Sequence, residues 1–114
     1  MTDRMSSAFN ALGDPTRRDM LIRLVSGDAT ATDLAERYDL TLQAVAKHLK
    51  VLENAGLVTK TRDAQRRPVH LETDVLDMMA GWIRRYQREA EARYQRLDKV
   101  LADMSGAAAK EDIA

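Results

Sequence analysis

A connection of only three residues, Asp39-Leu40-Thr41, joins two short segments whose apolar residues recur at helical spacing. The apolar positions are Leu34, Ala35 and Tyr38 in the first segment and Val45, Leu49 and Leu52 in the second. Both segments are therefore predicted to be amphipathic helices, and Thr41 is placed to cap the second one. Two short helices joined by so short a turn form a helix-turn-helix, around which the rest of the fold has to be built.

The segments before this pair predict two more helices. Residues 6–12 are expected to form the first helix, which ends at Gly13. Asp14 can cap the second helix, and Pro15 suits its first turn. The apolar stripe of the second helix is predicted at Leu21, Ile22, Leu24 and Val25. Thr32 is the predicted cap of the third helix.

Downstream of the pair, the apolar period changes from helical to alternating. Residues 57–61 and 69–71 predict two short strands with a polar, basic link, and Pro68 suits an edge position. A long helix is predicted at 74–104. The predicted fold is mainly α with a small β-hairpin, in the order α-α-α-α-β-β-α, which is a winged helix-turn-helix with a long C-terminal helix.

The length of 114 residues favours one domain. We expect a flexible N-terminus at 1–5, a folded domain at 6–104 and a disordered tail at 105–114. Within the domain, 74–104 is a predicted dimerisation helix, because so small a domain cannot cover both sides of it. The family resemblance described below implies that 6–12 is the second dimerisation helix.

Residue usage excludes several kinds of site. The chain has no cysteine, which excludes disulfides, a thiolate nucleophile and a cysteine metal site. No nucleophile–base pair, phosphate loop or metal motif is present, so we expect neither an enzyme nor a metal or other cofactor. No stretch approaches the about 18 apolar residues of a membrane helix, and no signal-peptide core begins the chain. We therefore expect a cytoplasmic protein with no membrane partner.

The charge is unevenly distributed although the formal net charge is zero. Residues 41–67 contain six cations against two anions, an excess of four; the cations are Lys47, Lys50, Lys60, Arg62, Arg66 and Arg67, and the anions are Glu53 and Asp63. A local basic cluster matters more for nucleic-acid binding than the charge of the whole chain.

These features predict that the chain contacts double-stranded DNA. The second helix of a helix-turn-helix enters the major groove, and a basic hairpin after it serves as a wing. The predicted contact residues are Thr41, Leu42, Gln43, Ala44, Lys47, His48 and Lys50 on the helix, and Arg62, Gln65, Arg66 and Arg67 on the hairpin. Gln43 can bind adenine at two points, and Lys47, one turn later, suits guanine or a phosphate.

Some of these residues have a second interpretation. His48 contacts DNA or only packs at the rim of the groove, and the hairpin arginines are either DNA contacts, which the preceding motif favours, or a solvated loop. Of Arg17 and Arg18, one is expected to form a structural salt bridge and the other is a candidate phosphate contact. His70 is expected to be a strand residue without a special role.

Three blocks of sequence resemble the ArsR family of winged-helix repressors. The blocks are Leu12-Gly13-Asp14-Pro15-Thr16-Arg17-Arg18, then Leu40 to Leu52 (LTLQAVAKHLKVL), and Ala55-Gly56-Leu57-Val58. The resemblance covers residues 6–104 in the right order. It implies a homodimer that occupies an operator and blocks transcription, often of its own gene.

The chain departs from the family where many members bind metal. A Leu-Cys-Val-Cys motif of those members corresponds here to Ala31-Thr32-Asp33-Leu34, and the last helix has no histidine, since the two histidines are His48 and His70. The chain therefore resembles the metal-independent branch, whose long final helix begins with a tryptophan-containing segment such as Gly81–Tyr86. Leu42 and Ala46 replace polar residues that are often found at recognition positions, which predicts fewer hydrogen bonds to the edges of bases.

The long helix predicts a dimer seam. Met79, Ile83, Tyr86, Ala90, Leu97, Leu101 and Met104 follow steps of three, four or seven residues, whereas Arg93 interrupts the series and argues against an extended coiled coil. The complete predicted interface comprises Phe9, Leu12, Met79, Trp82, Ile83, Tyr86, Ala90, Tyr94, Leu97 and Leu101. A two-fold dimer would present two recognition helices roughly 34 Å apart, the spacing of successive major grooves. The aromatic residues Trp82, Tyr86 and Tyr94 have an alternative role, in which they line a pocket for an unknown effector.

The leading hypothesis is a sequence-specific transcriptional regulator, a homodimeric repressor on a pseudo-palindromic operator that can include its own promoter. The alternative hypothesis is a protein-interaction module that dimerises through its long helix and has weak DNA readout. Leu42 and Ala46, which stand where polar residues are often found, are the features that favour this alternative. The partners predicted by the first hypothesis are double-stranded DNA and a second copy of the chain.

Overall fold

The structure is a computed structural model that describes residues 3–61 and 66–106, together with the backbone of 107–113. Its elements are α1 (Arg4–Ala11), α2 (Pro15–Val25), α3 (Ala31–Tyr38), α4 (Leu42–Asn54), β1 (Val58–Lys60), β2 (Val69–Leu71) and α5 (Asp74–Ile113). The predicted order of elements is confirmed. The chain divides into two compact units, Met1–Met79 and Ala80–Ala114. In the described residues, no helix is long and apolar enough to cross a membrane.

Side-chain caps determine where the first four helices begin. The carboxylate of Asp14 accepts hydrogen bonds from the backbone N–H of Thr16 at 2.8 Å and of Arg17 at 3.1 Å, so the predicted cap of α2 is confirmed. Helix α3 is capped by Thr30 and not, as predicted, by Thr32. Thr30 and Asp33 form a reciprocal capping box, which leaves Thr32 inside the first turn.

The two strands form an antiparallel hairpin in which Thr59 pairs with His70. Strand β2 also has a partner on its other side, because Ala29 and Val69 exchange two backbone hydrogen bonds of 3.2 and 2.7 Å. The hairpin is therefore attached by backbone bonds to the loop between α2 and α3, a long-range contact that the sequence analysis did not include.

The core of the first unit contains Met20, Leu21 and Leu24 of α2 together with Leu34, the inner face of α4, Leu57, Val58, Val69, Val75 and Met79. The predicted stripe on α2 was wrong at two positions, because Ile22 is 67% exposed and Val25 is 73% exposed. Successive helical residues turn by about 100°. Met20, Leu21 and Leu24 therefore share one face, and Ile22 and Val25 fall outside it.

Both ends of the helical region extend past the predicted boundaries. Asp3 caps α1 by accepting a hydrogen bond from the N–H of Ser6 at 2.7 Å, so this helix begins at Arg4 and not at residue 6. Helix α5 continues to Ile113, whereas residues 105–114 were expected to be disordered. Gly106 is followed by three alanines, and alanine has the highest helix propensity, which favours continuation of the helix.

The variant Leu52→Ala tests the inner face of α4. Leu52 is fully buried, so truncation leaves a cavity and is expected to lower the free energy of unfolding by about 2–5 kcal/mol. The adjacent Val51 is 38% exposed, and Val51→Ala is the matched control, with an expected change of about 0.5 kcal/mol. Urea unfolding followed by circular dichroism at one fixed protein concentration measures both values. Equal losses would contradict the orientation of α4.

Candidate nucleic-acid interface

The turn between α3 and α4 is held by backbone and side-chain contacts. Asp39 adopts the left-handed conformation, with φ 52° and ψ 47°, and the N–H of Leu40 donates to the carbonyl of Ala35 at 3.0 Å. The hydroxyl of Tyr38 donates to the carboxylate of Asp19 on α2 at 2.6 Å. Partial burial, with a further contribution from Asp19, raises the pKa of Tyr38. These contacts fix α3, from which α4 departs.

Helix α4 has one buried face and one exposed face. Val45, Leu49 and Leu52 are fully buried, as predicted. The exposed positions of its first three turns are Leu42, Gln43, Ala46, Lys47 and Lys50. Gln43 and Lys47 are one turn apart on this exposed surface, where both can reach the edges of bases. Burial of one face thus leaves an amide, two ammonium groups and the 55% exposed side chain of Leu42 on the other.

The start of α4 is suited to a phosphate. The hydroxyl oxygen of Thr41 accepts a hydrogen bond from the N–H of Ala44 at 3.1 Å, which confirms the predicted cap. The first N–H groups of a helix have no partner within it and carry the positive end of the helix dipole. The exposed Thr41 and the backbone N–H groups of Leu42 and Gln43 are therefore the candidate groups for an anion at this end of the helix.

Two predicted contact residues on α4 are less accessible than the others. Ala44 and His48 are half-buried. The hydrogen bond from the N–H of Arg17 is the largest cause that lowers the pKa of Asp14, and the nearby His48 adds a smaller lowering effect. His48 therefore lies close enough to the cap of α2 for its charge to act on Asp14, and both alternatives for this residue, a contact with DNA or packing at the rim of the groove, stay predictions.

The described part of the wing carries exposed cations. Arg66 and Arg67 are exposed, and Arg67 has a positive φ of 41°, whereas the predicted contacts Arg62 and Gln65 lie outside the described residues. Arg66 is near the start of α3, because its charge contributes, after the hydrogen bonds from Thr30, to the lowered pKa of Asp33. The ammonium of Lys60 is 4.0 Å from the carboxylate of Glu53.

Arg17 and Arg18 both bind the end of α1. The guanidinium of Arg17 donates to the carbonyls of Ala11 at 2.6 Å and Asn10 at 3.2 Å, and that of Arg18 donates to the carbonyl of Leu12 at 2.7 Å. Terminal helix carbonyls lack partners and carry negative partial charge, so two cations stabilise them. Arg17 also forms the expected salt bridge, at 4.0 Å from Asp14. Both arginines therefore have a structural role, and the phosphate contact expected for one of them stays a prediction.

His70 links the wing to the loop before α3, although the sequence analysis gave it no role. Its Nδ1 lies 2.8 Å from the carboxylate of Asp28, beside the backbone bridge between Ala29 and Val69. The hydrogen bond that the imidazole of His70 donates to the carboxylate of Asp28 is the largest cause that raises the pKa of His70, with further contributions from the charges of Asp28 and Glu72. The partners are 42 positions apart, so no local sequence signal could have identified the pair.

The predicted dimer residues fall into two groups. Met79 is buried in the core of its own unit and Leu12 is half-buried, so the prediction that Met79 lies in the dimer interface is contradicted by its burial. Its position next to Val75 on the inner side of α5 explains this burial. The other predicted positions are exposed: Phe9, Trp82, Ile83, Tyr86, Ala90, Tyr94, Leu97 and Leu101. The rings of Trp82 and Tyr86 are 4.4 Å apart between centroids.

Comparisons with known proteins agree with this geometry. A family model described as a helix-turn-helix domain matches residues 12–61. The chain is 35% identical over 79 residues to the transcriptional repressor SdpR of Bacillus subtilis, with 69% of this chain and 88% of that protein covered. It is 41% identical over 91 residues to the HTH-type transcriptional regulator YuzN of the same organism, with 73% and 99% covered.

Solved structures show the same likeness. The crystal structure of an ArsR family transcriptional regulator superposes with a TM-score of 0.73 at 31% identity, covering 78% of this chain and 98% of that one. An ArsR-like transcriptional regulator from Rhodococcus sp. RHA1 gives a TM-score of 0.76 at 30% identity, with 85% and 92% covered.

The fold and the exposed face of α4 define a DNA-binding transcriptional regulator of the winged helix-turn-helix class. The chain belongs to the ArsR family. The members of this family are regulators and not enzymes.

The ion pair of His70 gives a prediction about pH. Because the pKa of His70 is raised above its ordinary 6.5, the pair contributes stability that is fully present below 6.5 and is lost as the pH rises through the folded value. Asp28→Asn is expected to move the pKa of His70 back toward 6.5, as measured by an NMR titration of the imidazole protons. Asp98→Asn on α5 is the control and should leave it unchanged. An unaltered titration in the Asp28 variant would contradict the contact.

Proposed function

We propose that the protein is a cytoplasmic transcriptional repressor that binds a pseudo-palindromic operator as a homodimer. The observation that carries the proposal is the exposed face of α4. Gln43 and Lys47 lie one turn apart on this face, close to the N-terminal end of the helix at Thr41. Repression is supported by the likeness to SdpR, which is named a transcriptional repressor.

Each exposed group has a distinct role in this proposal. Gln43 reads a base edge, for which adenine fits best, and Leu42 contacts a thymine methyl group, so this apolar residue contributes to readout. Lys47 binds guanine or a phosphate, and Thr41 with the first backbone N–H groups binds a phosphate. Lys50 and the wing residues Arg66 and Arg67 add contacts to the DNA backbone.

We also propose that release from DNA does not depend on metal. The chain has no cysteine. Among the residues that the structure describes, no group of three or more histidine, aspartate or glutamate side chains could hold a metal ion. The chain therefore fits a metal-independent branch of its family, with its own upstream region as the first operator to test.

The proposal is tested by selecting a binding site from random DNA and measuring affinity by fluorescence anisotropy at several salt concentrations. Gln43→Ala is expected to weaken binding to the selected site by about 5- to 150-fold and to leave binding to random DNA unchanged, because it removes a base contact. Lys47→Ala is expected to weaken binding and, where it neutralises a phosphate, to lower the salt slope by about one per protomer.

Lys99→Ala is the matched control, since it removes the same charge from α5 outside the proposed interface. Wild-type affinity in both α4 variants would overturn the proposed surface. Failure to enrich any sequence would favour the alternative of a protein-interaction module with weak DNA readout.

A further inference from the structure

Strand β2 attaches the hairpin to the loop between α2 and α3 through two successive residues. Val69 exchanges two backbone hydrogen bonds with Ala29, and the Nδ1 of the next residue, His70, lies 2.8 Å from the carboxylate of Asp28. Successive side chains of a strand point to opposite faces, and accordingly Val69 is buried and His70 is exposed. The attachment therefore combines backbone bonds that do not titrate with one side-chain contact that does.

The loop that holds β2 leads directly into α3, the first helix of the helix-turn-helix. At the start of α3, the charge of the exposed Arg66 contributes to the lowered pKa of Asp33, so this cation of the wing lies near the motif. Arg66 and Arg67 come shortly before β2 in the chain. The contact between Asp28 and His70 thus joins the start of the motif to the strand that follows these two arginines.

The groups around His70 favour its charged form. Its hydrogen bond to Asp28 is the largest cause of its raised pKa, the charges of Asp28 and Glu72 add to the rise, and desolvation opposes it. On β1, His70 pairs with the uncharged Thr59, whose hydroxyl donates to Glu72 at 2.9 Å. From α2, the guanidinium of Arg23 donates at 3.1 Å to the backbone carbonyl that precedes Asp28. The contact is therefore strongest while the imidazole carries its proton.

The exposure of this pair limits its effect on the fold as a whole. The side chains of His70 and Asp28 are 55% and 44% exposed, and exposed ion pairs contribute little to the free energy of unfolding. The hairpin is a different case, because two strands of three residues each are marginally stable without further attachment. A weak contact at its base therefore acts mainly on the position of the wing.

We propose that Asp28 and His70 are positioning residues for DNA binding, whose contact holds the hairpin where Arg66 and Arg67 reach the DNA backbone. Neither member of the pair contacts DNA itself. The proposal rests on the proposed function and adds that the affinity for the operator depends on pH through His70. Affinity is highest while the imidazole is charged and falls as the pH rises through its folded pKa, because the neutral ring binds the carboxylate more weakly.

The first test is the pH profile of binding to the selected operator, measured by fluorescence anisotropy at constant ionic strength between about pH 6 and pH 9. Wild-type affinity is expected to fall by about two- to tenfold across this range, as each protomer loses one exposed ion pair. Asp28→Asn is expected to bind at low pH as weakly as the wild type does at high pH. Loss of an acidic group by itself strengthens binding to DNA, so the expected weakening cannot come from the change of charge alone.

Matched variants isolate the role of the proton on His70. His70→Arg keeps a cation beside Asp28 at every pH and is expected to retain high affinity at high pH. The same arginine in the Asp28→Asn background is expected to give no gain, which excludes a direct contact of the new side chain with DNA. His48 is present in all variants, so any pH dependence that it causes is common to them. Asp98→Asn on α5 is the control and is expected to keep the wild-type profile.

The second test asks whether the pair acts through the wing. Asp28→Asn is made in the wild-type chain and in a chain with both Arg66→Ala and Arg67→Ala. It is expected to weaken operator binding in the first chain and to have no effect in the second, where the contacts that it positions are already absent. In the wild-type chain it is also expected to lower the salt slope by up to about two per protomer, which a uniform loss of stability does not produce.

Two results would overturn the positioning role and leave the proposed function intact. Identical pH profiles for the wild type and Asp28→Asn would show that the contact does not govern operator binding. An equal loss of affinity with and without Arg66 and Arg67 would show that the pair does not act through the wing. Failure of the wild type to select any DNA site would instead overturn the proposed function, and this proposal with it.

Discussion

The surface that we propose for DNA binding depends on the burial of one face of α4. Val45, Leu49 and Leu52 are fully buried, and helical geometry then determines which residues face away from the core. A 13-residue helix is marginal in water by itself, so packing and the cap at Thr41 provide the stability of α4. The proposed recognition surface is thus positioned by the buried residues on the opposite face of the helix.

The wing depends on a second constraint, its attachment to the loop between α2 and α3. The backbone bridge of Ala29 with Val69 and the contact of Asp28 with His70 lie side by side. The charge of Arg66 acts on Asp33 at the start of α3. An isolated two-stranded hairpin is marginally stable at best, so these bonds explain how so short a hairpin keeps its position beside the helix-turn-helix.

The sequence predicts those features that local chemistry determines. The caps at Asp14 and Thr41, the turn at Asp39 and the inner face of α4 all follow from signals within a few residues. The errors occur where the outcome depends on distant partners. Ile22 and Val25 are as apolar as their neighbours, and only the packing of the folded chain shows that they are exposed. Thr30 is an exception, because its capping box with Asp33 is a local signal that the choice of Thr32 overlooked.

In the candidate site, too, the features set by local chemistry were predictable and those set by distant partners were not. Gln43, Lys47 and Lys50 were predicted to be exposed because their positions relative to the buried face are fixed by the helix. His48 is half-buried, and its position on α4 did not by itself decide between packing and a contact with DNA. The same holds for Met79, which has the spacing of a seam residue and yet completes the core of its own unit.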